Sequence, residues 1–414
     1  MERFDSIKVY GVQLNTVPVG FVLISSVGKQ RKAYRFRLEP TPQQEEGLRR
    51  IAGACRAVYN WGLSRRKEHY AQHGKTLSYA ASNLELTELK HRPGLEWLKE
   101  ADSQALQESL RDLDRAFVNF FEGRARFPRF KRAKDERFAF RIPQRVKLEG
   151  KQVYCPKIGW IGLRLSQPVE GITKSASFKR DAAGHWHVCL IQEFDLPAVA
   201  LPAPQSPVGV DLGLIDFATL SNGESIPAPK FARKAHRRQR RAQRIFSRRK
   251  KGSHRRKKAK RQVARVHQKV ARQRNDFVHQ VTTGLVGRFD LICIEDLSIK
   301  GMARTKLARS VLDAAFSECR RQLHYKTLWN YRRVVVVDRF FPSSKRCHVC
   351  QAVNDELSLS NRVWACGCGA VHRRDLNAAL NLEAEGRRLV AEGHSETQNA
   401  RGAMVRPASV GASC

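Results

Sequence analysis

"PVGVDLGLIDFATLSNGESI", residues 207–226, sets an aspartate at the end of an apolar run. The stretch reads as two strands with a turn at Asn222 and Gly223. A carboxylate at the edge of a buried strand needs a reason, because an unpaired charge removed from water costs several kcal/mol. Asp211 is therefore salt-bridged, a strand-end cap, or the holder of a cation. Glu295 stands in the same position at the end of "DLICIE", and Asp375 opens the helical pattern "DLNAALNL". The separations of 84 and 80 residues are far too long for a local loop. Only a folded sheet flanked by helices would bring the three together. Carboxylates meeting at adjacent strand ends and a helix start can hold two Mg²⁺ ions, which favour oxygen ligands and leave positions for phosphate and water. Such a pair can activate the attacking water and stabilise the leaving oxygen in phosphodiester cleavage.

Charge points to the same chemistry. The 414 residues carry 77 Lys and Arg against 39 Asp and Glu, a formal net charge of +38 that predicts a polyanionic partner. The charge is concentrated: Lys230 to Arg274 holds 22 Lys or Arg and no acidic residue. Val263, Val266, Val270, Phe277, Val281 and Leu285 keep an apolar stripe at helical spacing, and "KKGS" at 250–253 predicts the turn of a helical hairpin. The candidate phosphate contacts are Arg237, Arg238, Arg240, Arg241, Arg244, Arg248, Arg249, Lys250, Lys251, Arg255, Arg256, Lys257 and Lys258. Tyr59, Trp61 and Trp97 could stack on bases, although core packing is the commoner fate of such residues.

Four of the ten cysteines, Cys347, Cys350, Cys366 and Cys368, cluster within 22 residues. The pattern C-x-x-C, then C-x-C fifteen residues later, can close a tetrahedral, structural Zn²⁺ site with no open position. Four sulfurs complete the shell, so His348 and His372 are assigned no ligand role. The other cysteines are scattered, which argues against a disulfide framework and for the cytoplasm. The apolar "VPVGFVLISSV" at 17–27 is broken by Pro18 and Gly20 and preceded by Glu2 and Asp5, so neither a signal peptide nor a membrane span is expected.

Periodicity divides the chain. Residues 1–31 read as an N-terminal extension and 32–41 as the first part of a small β-barrel or sandwich. A helical domain at 42–124 is inserted into it, and 125–198 complete it. The proline-rich 199–207 reads as a linker. Residues 208–344 form a core of strands and helices that includes the basic hairpin 230–285, with a helix around 309–329. The cysteine ribbon spans 345–370, a last element 371–386, and a disordered tail 387–414. No helix-turn-helix or zinc-finger repeat able to read many base pairs is apparent.

"GVDLGLIDFATLSNG", "CIEDLSIKGM", "FPSSKRCHVC" and "RRDLNAALN" together resemble the RuvC-type blocks of TnpB, the transposon-encoded relatives of type V CRISPR effectors. "RFRLEPTPQQ", "CRAVYNWGL" and "FPRFK" resemble the N-terminal half of that family, so the likeness covers about residues 32–383. The chain departs from the family pattern at Arg373, where an acidic residue is usual, and at Gln351, where glycine is common.

The resemblance implies a multidomain α+β protein. An RNase H-like, RuvC-type α/β nuclease core with an inserted zinc ribbon would follow a small β-barrel domain carrying a helical insertion. It implies Asp211, Glu295 and Asp375 as a catalytic acidic triad binding Mg²⁺, an RNA-guided DNA endonuclease activity, and guide RNA and double-stranded DNA as partners. A separate transposase of the same element would work beside it. The alternatives are a nuclease-silent RNA-guided repressor, a transposase joining strands itself, and a structural RNA-binding protein. The first two would use the same fold, and the last has no need of acidic residues at three matching motifs.

Overall fold

The computed structural model describes residues 22–23, 28–133, 138–197, 200–358 and 360–392. Most of the N-terminal extension expected at 1–31, including 17–21 and 24–27 of the apolar stretch, and residues 393–414 of the expected disordered tail lie outside the described residues. The chain divides into two compact units, one of residues 28–196 and 244–265, the other of 1–27, 197–243 and 266–414. A two-residue strand β1 (Val22–Leu23) pairs antiparallel with β9 (Ala200–Leu201), so the proline-rich stretch read as a linker contains a short ladder.

The first unit is built on β2 (Gly28–Glu39), β3 (Ala139–Ile142), β4 (Lys147–Glu149), β5 (Gln152–Cys155), β6 (Gly159–Arg164), β7 (Ile172–Arg180) and β8 (Trp186–Leu196). They form an antiparallel sheet in the order β3-β7-β8-β2-β6-β5-β4. β2 begins at Gly28, paired with Leu196, so 28–31 belong to the sheet and not to an extension. The polar "GKQRK" gives no alternating signal there, and the ladder to β8 extends it. The sheet ends at β3 and β4, which do not pair with each other among the described residues, so the expected barrel is seen as an open ladder.

Between β2 and β3 lie α1 (Pro42–His73), α2 (Tyr79–Leu89) and α3 (Ser103–Phe121). Thr41 opens α1 with a capping box: its side chain accepts from Gln44 N, and the Gln44 side chain accepts from Thr41 N. Asp102 caps α3 by accepting from Gln104 and Ala105 N–H, and pairs with Arg145 at 2.7 Å. The apolar faces of these helices, Leu48, Ile51, Cys55, Leu106 and Leu110, pack with Tyr34, Phe36, Val188 and Leu190 of the sheet in one core.

The second unit carries β10 (Pro207–Leu212), β11 (Asp216–Leu220), β12 (Ser225–Pro227), β13 (Leu291–Glu295) and β14 (Arg333–Val337), ordered β12-β11-β10-β13-β14. β10 runs parallel to β13, and β13 to β14, while β11 is antiparallel to its neighbours. Residues 207–226 thus hold parts of three strands where two were expected, because a short turn at 213–215 breaks the run. Its Gly213 N–H donates to Phe217 O.

α4 (Phe231–Ser247) and α5 (His254–Arg288) form the hairpin between β12 and β13, turning at 248–253. Between β13 and β14 come α6 (Ile299–Met302), α7 (Ala308–Ala314) and α8 (Phe316–Trp329). The single helix expected around 309–329 is broken at Ala315, whose φ of 59° is left-handed, a break that alanine does not announce.

After β14 come β15 (Val363–Ala365), β16 (Val371–Arg373) and α9 (Arg374–Ala391). α9 runs past the expected boundary at 386: Arg387 pairs with Glu383 at 2.8 Å and Arg388 with Glu385 at 2.7 Å along the same helix. α9 lies against β10, β13 and β14. Two glycines permit that approach, since a Cβ at Gly209 would overlap the Ala379 carbonyl oxygen and one at Gly386 would overlap the Cys293 sulfur.

Candidate active site and cysteine knuckle

β10 and β13 are parallel, so their C-terminal ends share one end of the sheet. Asp211 is the fifth residue of β10 and Glu295 the last of β13. Asp375 stands in the first turn of α9, the helix that packs across both strands. Asp211 senses the other two carboxylates. The Asp211 carboxyl is pushed up to about 7, first by burial, then by the charges of Asp375 and Glu295, with Arg374 and Arg362 opposing. Asp211 keeps some exposure, but protein surrounds its carboxyl densely. Glu295 is raised by burial and by neighbouring Asp296.

Asp296 shows what a compensated carboxylate looks like in the same loop. Arg320 and Arg339 both grip it, and against burial they hold its carboxyl below the ordinary range. The Asp211 and Glu295 carboxylates have no hydrogen bond or ion pair among the described residues, and Asp375 has a 3.5 Å contact with Arg362. The salt-bridge reading therefore fits Asp296 and not Asp211 or Glu295. Hard oxygen donors under mutual repulsion suit a divalent cation. The carboxylates do not, however, converge as tightly as the cysteines, which are the one group of three or more ligand atoms close enough to hold an ion among the described residues.

The cysteine Sγ atoms all lie within 4.8 Å of one another, with Cys347–Cys368 at 3.8 Å and Cys350–Cys366 at 3.5 Å. Zn–S bonds of about 2.3 Å place tetrahedral sulfurs about 3.8 Å apart, so the donor set fits zinc. His372, nearly fully buried, sets Nε2 3.1 Å from Cys347 Sγ. It touches one of the four candidate ligands, an outer-layer contact of the kind that steadies metal sites. The Cys347 thiol is buried, which would raise it. The N–H groups of Cys350 and Val349 and the His372 ring overcome that and hold it down at about 5. Gln351 sits at φ 67°, the left-handed conformation for which glycine is favoured, and its side-chain amide donates to His348 O at 2.9 Å.

Two residues that the sequence reading passed over join the knuckle to α9. Asn377 donates to Arg346 O at 2.8 Å and accepts from His348 N at 3.1 Å. Asn381 donates to Ser343 O at 2.8 Å and Arg346 O at 2.6 Å. Both are almost fully buried. Their signal was present: asparagines four apart on one helix face, in positions where asparagine is a poor helix former, point to a polar tether. The knuckle thereby fixes the first turns of the helix that carries Asp375.

The basic hairpin residues are exposed, with one correction. Arg256 turns inward, its Nη1 donating to Phe246 O at 3.1 Å and Arg249 O at 2.6 Å while its guanidinium lies over the Phe246 ring at 4.3 Å. It closes the C-terminal end of α4, a role for which cations are suited, and is not free for phosphate. Of the aromatics, Tyr59 is buried under Lys131, Trp61 packs on the core, and Trp97 is 43% exposed.

Three family descriptions match the chain: "Probable transposase" at residues 187–306, "Helix-turn-helix domain" at 30–75 and "Cas12f1-like, TNB domain" at 316–382. Over 30–75 the structure has most of β2 and then α1 as one unbroken helix. A Streptomyces pristinaespiralis protein named "Putative RNA-guided DNA endonuclease" is 40% identical over 361 residues, 86% of this chain and 89% of that protein. The chain belongs to the TnpB family. A second member, InsQ of Escherichia coli strain K12, under the same description, is 37% identical over 88% of this chain and 94% of its own length. The TnpB fold is echoed at 12% identity by the protein in a cryo-EM structure of a Cas12f1–sgRNA–target DNA complex. The TM-score is 0.54, covering 86% of this chain and 99% of that one.

Proposed function

We propose that this chain is an RNA-guided DNA endonuclease of an insertion element, with Asp211, Glu295 and Asp375 as its catalytic carboxylates on an RNase H-like, RuvC-type core. The observation that carries the reading is the pair of uncompensated carboxylates facing a third across parallel strand ends and a helix start. Relatives named as RNA-guided DNA endonucleases, matched over nearly their whole length, supply the substrate class. Mg²⁺ bound here would supply charge neutralisation and a water of lowered pKa. Asp211 and Glu295 would hold it from the sheet and Asp375 from α9, while Arg362 and Arg374 offer positive charge to the scissile phosphate. The hairpin cations would hold nucleic-acid backbone, with sequence delegated to guide pairing. The four cysteines would hold a structural Zn²⁺.

No helix of the described residues is long and apolar enough to cross a membrane. We read the protein as cytoplasmic, bound to the nucleoid when engaged, and accompanied by a separate transposase. The test is cleavage of duplex DNA by the protein with its copurified RNA, with Mg²⁺ added or removed. Matched duplex should be cut and unmatched duplex spared; equal cutting of both would overturn guidance, and cutting in EDTA would overturn the metal site.

A further inference from the structure

Glu295 is followed at once by a second carboxylate, Asp296, and a strand end can turn only one of the two toward Asp211. Successive residues of a strand point to opposite faces of its sheet. Val208, Val210, Ile292 and Ile294 pack on the face that carries Phe316, Cys319 and Leu323 of α8. Leu291 and Cys293 pack with Leu382 of α9 on the other face, where Gly209 also meets Ala379 of α9. Asp211 and Glu295 continue this second set, so they point to the face that α9 covers, and α9 brings Asp375 to it. Asp296 turns the other way, toward α8.

The α8 face is prepared to receive it. Arg320, in the second turn of α8, and Arg339, two residues past β14, both grip the Asp296 carboxylate, one oxygen each. The backbone is held as well: Asp296 N donates to Val337 O at 2.9 Å, which carries the β13–β14 ladder one residue beyond Glu295. The chain then leaves the sheet, with Leu297 N donating to Glu295 O at 3.1 Å. Glu295 is thus the last residue before a corner tied to the helix behind it and to the next strand. Its own carboxylate has no such tie, so its direction depends on the backbone that Asp296 fixes. A lone exposed ion pair contributes little, whereas a half-buried carboxylate held by two cations from separate elements defines a geometry.

We propose that Asp296 is a positioning residue for the nuclease site: with Arg320 and Arg339 it pins the end of β13 from the α8 face and so holds Glu295 toward Asp211 and Asp375. The role rests on the nuclease reading of those three carboxylates. Unpinned, two adjacent carboxylates would compete for one place, and a slip of one residue at the strand end would present the wrong one. A misplacement of about 1 Å in a reacting constellation costs on the order of a hundredfold in rate.

The test uses the full chain with its copurified RNA, given Fe²⁺ in place of Mg²⁺, ascorbate and hydrogen peroxide. Hydroxyl radicals made at a bound ion cut the polypeptide close by, and mass spectrometry locates the cuts. The parent should be cut beside Asp211, Glu295 and Asp375. In Asp296→Ala the cut beside Glu295 should fall severalfold relative to the other two, which should persist. In Mg²⁺, single-turnover cleavage of guide-matched duplex should slow by about a hundredfold with target affinity unchanged. Arg320→Lys and Arg339→Lys should each remain close to the parent, because each guanidinium spends one nitrogen on Asp296 and an ammonium can replace it. Asp296→Asn, of the same shape and with one acceptor oxygen left, should melt near the parent and still weaken the Glu295 cut selectively, which separates aim from fold.

Equal weakening of all three cuts, in step with a lower melting temperature, would reduce Asp296 to a structural ion pair and overturn the positioning role. Unchanged cuts and rates in both Asp296 variants would overturn it too. A parent cut at none of the three segments defeats the metal site and the positioning role with it, whereas parent cuts at all three without the selective loss defeat the positioning role alone.

Discussion

The cysteine knuckle and the carboxylate cluster both present ligands suited to a metal, yet they are prepared in opposite ways. The knuckle has its four sulfurs at tetrahedral spacing, and its turn, His372 and the α9 asparagines hold them there. The carboxylates are looser, Asp211 feels the charge of the other two, and two have no ion pair among the described residues. A closed, satisfied donor set builds structure, whereas an open and strained one leaves room for substrate and retains electrostatic work to be done by the ion.

The contrast would break first at the carboxylates. Asp211→Ala, Glu295→Ala and Asp375→Ala should each lower cleavage of guide-matched duplex by about a thousandfold or more while leaving RNA and target binding intact. Gel analysis of cleavage beside a binding assay checks this, and a variant that still cuts would remove that residue from the site.

Cys347→Ser with Cys350→Ser should do the reverse. Zinc, measured by elemental analysis, should be lost from the purified protein and the melting temperature should fall, because metal binding contributes directly to folding. Activity should fall in step with folding. Soluble, active, parent-stable protein free of zinc would contradict the structural role.

A smaller effect separates hairpin cations by their partners. Neutralising Arg248, Arg249, Lys250 and Lys251 should flatten the dependence of log affinity on log salt by up to about 3 units, one increment per lost phosphate contact. Arg256→Ala should leave the slope nearly unchanged and lower thermal stability instead, since its donors are spent on Phe246 and Arg249 carbonyls. Equal slopes for the four-site variant and the parent would take the tip out of the contact surface.

The smallest expected effect concerns the proton on Asp211. Its folded value of about 7 lies above the ordinary 3.8, so the folded state holds the proton more tightly. The stability this contributes is full below about pH 4 and is lost as pH rises through about 7. Without metal, Asp211→Asn should therefore melt a few degrees above the parent at pH 8 and level with it at pH 4. Added Mg²⁺ should narrow the gap by stabilising the parent alone. A gap independent of pH would mean that the carboxyl charge is not the cause.

The candidate sites were more legible than their scaffolding. Asp211, Glu295 and Asp375 stood out because charge at the end of an apolar strand or opening a helix is costly without a purpose, and the cysteines because their spacing has few other uses. The turn of the basic hairpin was readable from "KKGS". What escaped depended on tertiary context. Ala315 breaks a helix without glycine or proline, and Gly28 to Arg31 become strand because β8 is there to pair with them. Arg256 looks like its neighbours in sequence and differs only in having carbonyls within reach. The grip on Asp296 draws on α8 and the chain after β14, so no local pattern could reveal it.

Gly209 gives the spacing of Asp211 and Asp375 a tolerance smaller than a methyl group. Its missing side chain lets the Ala379 carbonyl settle onto β10, so the helix bearing Asp375 rests on the strand bearing Asp211. Any larger residue at 209 would act as a spacer, prising two of the proposed catalytic carboxylates apart while deleting neither. On the proposed reading, descendants of this sequence would then fall silent with every motif residue still in place, and an inventory of side chains would count them as live.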